Sequence, residues 1–415
     1  MPDPISDRTE LSMPPVKSKD AGRPVGLFLF LTALMTACSA AAIQKWPTPW
    51  NFVFFSGVYI IVAVLIYSFK GRAGQRFISY RWAAVVSFLL VLAGLNVAFS
   101  ATPFGSLKSM VLFFITGPLI WWVSNQLFVD ENSRKKLFKF FTLLLFLGFF
   151  YGLWELFTYK RLYLFNNNSI AAGSVILLLM VGPLVWCLKS ETTRRWIPLS
   201  ALGLGMTLIV LAGKRGALLG CIIMIAALAL VLWSRRSVYI IIGLISLVFI
   251  GYQQRDRLPR DINRHFLNSI SSQQRLENYS YAYYLFWEKP FIGYGLHAPI
   301  HGYLAGYRAK HEQANYGQYI NELRGFDNIF VTGFVMVGSL FTLTYMAMTF
   351  AFIYRFLHPH RSWSKTPFLI LLPLLAFLIQ SLTYDSLLFP QVNWLFHAAL
   401  GGLNGGFENG SFKPE

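Results

Sequence analysis

Apolar residues in this chain come in long, uninterrupted runs separated by short polar and basic segments. Runs long enough to cross about 30 Å of hydrocarbon fall at 25–43, 52–69, 83–100, 109–129, 140–157, 170–189, 197–213, 216–233, 238–251, 329–354, 368–385 and 389–405. They are continuously apolar and lack the period-two alternation of a membrane strand. The pattern predicts an all-α integral membrane protein with about 12 transmembrane helices and one large loop. In order it comprises a tail (1–24), nine helices (25–251), the loop (252–328), three helices (329–405) and a second tail (406–415). The first run reads as an uncleaved helix, because it is longer than a signal-peptide core and apolar spans follow it throughout.

Composition points the same way. Of 415 residues 55% are hydrophobic and only 13% charged, where a soluble domain carries about 25% charged residues. The net charge of +18 would suggest nucleic acid if it formed one basic face. Here the lysines and arginines sit in short clusters between apolar runs, and they report topology instead. The loops that share a side with the two termini hold 21 basic residues, and the short opposite loops hold six: Lys45, Lys108, Lys160, Arg161, Lys214 and Arg215. Positive charge stays on the cytoplasmic side in short loops, which puts both termini in the cytoplasm and the 252–328 loop outside. That loop carries the other nine basic residues. Long loops escape the rule, so those charges are where function is sought. Cys38, Cys187 and Cys221 all lie in apolar runs and read as small buried hydrophobes, with no disulfide framework or zinc spacing.

Within the loop, Gln274 to Lys289 reads QRLENYSYAYYLFWEK. Leu276, Tyr279, Tyr283, Phe286 and Trp287 recur at three- and four-residue steps, the mark of an amphipathic helix. Its tyrosines and tryptophan suit a membrane interface. Arg275 in the first turn opposes the helix dipole, unless an anion binds there beside free backbone N–H groups. The helix runs into Pro290-Phe291-Ile292-Gly293-Tyr294-Gly295. A second basic feature, Gly213-Lys214-Arg215-Gly216, lies between two spans at the outer face. It reads either as snorkelling side chains or as an anion clamp using arginine's bidentate fork. A third, Asp327-Asn328, immediately precedes the span at Ile329. Asp327 reads either as a helix N-cap or as a general base at the membrane–water boundary. His297, His301 and His311 are poorly spaced for a metal, since Pro299 interrupts the first pair, and no paired-acid D-x-D segment occurs. No metal and no cofactor are expected.

Taken in order, Lys214-Arg215-Gly216-Ala217, Arg275 with its aromatic helix, Pro290-Phe291-Ile292-Gly293-x-Gly295, and Asp327-Asn328 with Gly338 beyond resemble the core of bacterial O-antigen ligases and polymerases. The resemblance implies a membrane glycosyltransferase that takes a glycan from undecaprenyl diphosphate outside the inner membrane. The acceptor would be the lipid A core for a ligase, or a second lipid-linked glycan for a polymerase. It implies that Arg215 and Arg275 hold the diphosphate. Lys214, Tyr279, Asn328 and His311 complete the expected substrate contacts. Where the family usually carries histidine, this chain has Asp327, so the base is either Asp327 or a loop histidine such as His311. The chemistry needs neither metal nor covalent nucleophile: a lipid-linked diphosphate brings its own activation, and direct attack inverts the anomeric centre. The leaving group gathers negative charge that placed arginines stabilise. Two readings from other classes are a transporter or flippase and a non-enzymatic anchoring protein. A transporter would place ionisable groups near the midplane and show internal repeats. The acidic residues in the predicted spans, Glu155 and Asp385, lie near outer ends, and no repeat is apparent.

Overall fold

The computed structural model describes residues 22–38, 80–159, 162, 164, 169–189, 196–232, 269–310, 326–357, 365–383 and 385–404. The predicted spans 52–69 and 238–251, together with His311, lie outside the described residues. Every element among the described residues is helical, as the continuous apolar runs require once backbone groups must be satisfied within the segment.

In chain order the helices are α1 (Gly22–Cys38), α2 (Tyr80–Ala98), α3 (Pro103–Leu127), α4 (Glu131–Tyr159), α5 (Ser169–Leu179), α6 (Val181–Lys189), α7 (Trp196–Ala212) and α8 (Arg215–Leu232). They continue as α9 (Ser269–Glu288), α10 (Leu304–Lys310), α11 (Ile329–Thr332, prolonged by a π turn at Gly333–Val337), α12 (Ser339–Leu357), α13 (Lys365–Ser381) and α14 (Pro390–Asn404). Local chemistry sets several of the ends. Pro103 occupies the first turn of α3, where its missing N–H costs nothing. The Asp130 carboxylate accepts the Ser133 N–H at 2.8 Å and caps α4.

Two of the helices, α3 and α4, are long and apolar enough to cross a bilayer, and seven shorter apolar helices accompany them. The full set of twelve spans is thus not recovered among the described residues. One predicted span, 329–354, is broken at Gly338; 170–189 carries only a one-residue irregularity at Met180, across which the i→i−4 hydrogen bonds continue. The run 368–385 stops at Ser381, which leaves Asp385 in the connection to α14 rather than in a span.

The bundle is built around α14, which is buried from Gln391 to Asn404. It lies along α3 and α5. Trp394 stacks on Phe28 and donates its indole N–H to Thr32 Oγ1 at 3.0 Å. Trp121 of α3 stacks flat on Phe352 of α12, centroids 3.7 Å apart. Helices α8 and α13 run together, and a Cβ at Gly220 would come within 2.5 Å of the Ala376 carbonyl. Such small-residue contacts let membrane helices approach closely without a hydrophobic drive between them. The outer surface is equally apolar. On α4, Leu143, Leu147, Phe150, Trp154 and Phe157 are all exposed, at alternating four- and three-residue steps. A contiguous stripe of this kind faces lipid, because monomeric soluble proteins rarely expose one to water.

Candidate active site

The site begins with a broken helix. Chain entering α11 turns sharply at Asp327, whose φ of 53° is in the left-handed region. Asn328 is the N-cap: its Oδ1 accepts the N–H groups of Phe330 at 3.0 Å and Val331 at 3.3 Å. The capping role considered for Asp327 therefore falls one residue later, and the Asp327 side chain is not spent on the helix end. Five residues on, the π turn Gly333–Val337 ends at Gly338 with φ 91°, and α12 starts afresh.

That break receives the turn that follows α9. Tyr294 N–H donates to the Val335 carbonyl at 3.2 Å, and Gly295 N–H donates to the Met336 carbonyl at 2.7 Å. Asn96 of α2 donates its amide to two carbonyls, Ile292 at 2.6 Å and Met336 at 2.9 Å. A Cβ at Gly293 would meet the Met336 oxygen at 2.6 Å, and one at Gly338 would collide with the Phe291 oxygen. The glycines of Pro290-Phe291-Ile292-Gly293-Tyr294-Gly295 thus have a structural task. They let two backbones touch and so fasten the helix carrying Arg275 to the helix headed by Asp327.

Arg275 is half-buried near the start of α9, with Tyr279 half-buried four residues on. Its guanidinium lies within electrostatic range of two groups far away in sequence: the Arg215 guanidinium and the Asp327 carboxyl. Arg215 is the first residue of α8, half-buried as Lys214 is. Its placement follows from the next residue: Gly216 sits against Thr383 so tightly that a Cβ would strike the threonine hydroxyl. The first turn of α8 is thereby pressed onto the end of α13. Arg215, Arg275, Asp327 and Asn328 are brought together; His311 lies outside the described residues.

A residue not singled out for the site closes it. Asp385 is 8% exposed and accepts the Thr332 hydroxyl at 2.7 Å and the backbone N–H groups of Asp327 and Asn328. The Thr332 hydroxyl in turn accepts the Phe326 N–H at 2.9 Å. One carboxylate therefore ties down the whole 326–328 turn and holds Asp327 in its unusual backbone conformation. Burial pushes the Asp385 carboxyl up to about 7, against the hydrogen bond from Thr332, and the neighbouring Asp327 charge adds to the rise. Burial also raises Asp327, while Arg275 draws it back. Sequence spacing holds no trace of this arrangement, since Thr332 and Asp385 are 53 residues apart and Asp385 had been counted within a span.

The cluster thus offers two cations and a carboxyl of raised basicity at the head of an apolar bundle. That is an arrangement for an anion with a reactive group beside it. Among the described residues, no three His, Cys, Asp or Glu side chains gather as a metal site.

Residues 199–346 match the family model Wzy_C, described as O-Antigen ligase. The matched segment runs from α7 into α12 and takes in Arg215, Arg275, Asp327 and Asn328, but not Asp385. No curated protein matches the chain.

Proposed function

We propose that this chain, whose residues 199–346 carry an O-antigen ligase domain, transfers a glycan from undecaprenyl diphosphate to the lipid A core on the periplasmic face of the inner membrane. The observation that carries the reading is that Arg275 lies within electrostatic range of both Arg215 and Asp327. Two guanidinium groups close together repel, and a dianionic ligand between them turns that repulsion into binding. Arg215 and Arg275 hold the diphosphate, with Lys214 beside them. Asp327 takes the proton of the acceptor hydroxyl as that oxygen attacks the anomeric carbon. The bond from that carbon to the diphosphate breaks, and the departing diphosphate keeps the electron pair. The arginines stabilise this growing charge, an effect worth about 10²–10³ in rate for a single well-placed donor in other enzymes.

Asp327 suits the role of base because burial lifts it toward neutrality, and a base is most effective when its pKa nears the working pH. Asp385 and Asn328 position it through the backbone. Tyr279, on the same helix as Arg275, lies close enough in sequence to line the sugar or lipid side of the site. The excess of Lys and Arg in the terminus-side loops supports cytoplasmic termini and a periplasmic site.

The test is the lipopolysaccharide ladder of a deletion strain complemented with wild type, Arg215→Ala, Arg275→Ala or Asp327→Ala. Wild type restores the ladder, and each variant leaves bare core with full-length glycan retained on the carrier lipid. Core bearing a single repeat in the deletion strain would assign the chain as a polymerase. Intact ladders in all three variants at normal protein levels would remove the mechanism.

A further inference from the structure

Helix α9 has two faces of opposite character. One, through Asn278, Tyr281, Ala282 and Leu285, is buried against the protein, and Arg275 lies at its upper end. The other is apolar yet open: Leu276, Tyr283 and Trp287, with Phe291 just past the helix, are each 63–67% exposed. Leu276, Ser280, Tyr283 and Trp287 follow steps of four, three and four, so they form one stripe along the helix. Tyr283 packs edge-on against Trp287 with centroids 6.0 Å apart, so these two side chains form one continuous surface.

The stripe runs toward the start of α12. The backbone carbonyl of Phe291 lies against Gly338, the residue before α12, and α12 continues with Leu340 and Leu343 both exposed. Phe286, next to Trp287, meets Phe334 of the π turn with ring centroids 6.1 Å apart. The open face of α9 thus ends beside the start of α12, whose exposed side chains Leu340 and Leu343 are apolar as well. Tyrosine and tryptophan have an apolar body and a polar tip, and they collect where headgroups meet acyl chains.

We infer that the Leu276–Tyr283–Trp287–Phe291 face of α9 is seated in the headgroup–acyl boundary of the outer leaflet, with the bilayer itself as its partner. The helix lies on the membrane rather than projecting from it. Arg275 is one residue from Leu276, so a seated stripe fixes its guanidinium at the depth of lipid phosphates. The inference rests on the membrane reading of the bundle but not on the transfer reaction.

The test uses full-length protein with Cys38, Cys187 and Cys221 replaced by alanine, reconstituted in phosphatidylethanolamine–phosphatidylglycerol vesicles. Single spin labels go in at Tyr283→Cys and Trp287→Cys, with Ser280→Cys as a further stripe position that disturbs no core contact. Phe150→Cys on α4 marks lipid, and Ala305→Cys on the exposed face of α10 marks water. The stripe labels should collide with oxygen several-fold more than with a water-soluble nickel chelate, as at 150, and the reverse should hold at 305. Stripe labels that match 305 would place the face in water and overturn the inference. Labels shielded from both reagents would mean protein covers it, from this chain or a second copy, and would overturn it equally. If position 150 also reports water, the membrane reading has failed, not merely the seating of α9.

Discussion

Asp327 and Asp385 divide one task between them. Asp385 spends its oxygens on Thr332 and on the amides of Asp327 and Asn328, and this leaves Asp327 as the carboxyl that faces Arg275. Asp327→Asn keeps the size and the backbone bonds but cannot take a proton. It should lower the transfer rate about 10²–10⁴-fold, the usual worth of a positioned general base. Asp327→His, which puts an imidazole base in the same place, should retain far more activity than the asparagine variant when membrane preparations are assayed side by side. Asp385 makes a separate prediction about stability. Its folded pKa of about 7 lies above the unfolded value of about 3.9. The stabilisation is therefore full below about pH 3.9 and is lost as pH rises toward and through 7, by up to about 1.4 kcal/mol per pH unit. Melting temperature in detergent should rise as pH falls from 7.5 to 5, and the slope should flatten in Asp385→Asn. An identical slope in wild type and Asp385→Asn would show that Asp385 is ionised in the folded protein.

At the scale of elements, the decisive contact is the docking of the 290–295 turn onto the break in the α11–α12 span. Gly338→Ala places a side chain at φ 91° and against the Phe291 oxygen, so it should destabilise the fold and weaken transfer together. Asn96→Ala removes the donor to Ile292 and Met336 and should cost about 1–3 kcal/mol for buried carbonyls left unpaired. Thermal unfolding of the two variants in detergent measures both. This is also where the sequence was most and least informative. Apolar runs located α2, α7, α8 and α14 to within three residues, because hydropathy reports burial in lipid directly, whereas α4 begins nine residues before its run, in a polar first turn. Hydropathy did not register the break at Gly338, since a break costs no polarity and both flanks stay apolar. The basic pair Lys214-Arg215 and the aromatic helix stood out because each violates a local expectation. Asp385 did not, because its partners come from 53 residues away and only tertiary packing brings them near. The cap moved from Asp327 to Asn328 because either residue type serves and the choice depends on the backbone turn that Asp385 enforces.

For the whole molecule, the arrangement separates holding from reacting. Lipid-facing stripes such as that of α4 keep the bundle in the bilayer, and α14 at its centre fixes α3 and α5 around it. The groups of the candidate site collect at one end, where α8 begins, α11 begins and α13 finishes. In the proposed site, the cations at residues 215 and 275 act together because the tight contact at Gly216 holds α8 to α13 while the glycine turn holds α9 to α11. The central claim is that these two guanidinium groups grip a single diphosphate. It is tested most directly by binding of a short isoprenyl diphosphate to the purified protein, with the matching monophosphate as control. Arg215→Ala and Arg275→Ala should each weaken diphosphate binding tenfold or more, about 1.4 kcal/mol, and should largely erase the preference over monophosphate. Wild-type affinity and preference in either variant would contradict the account.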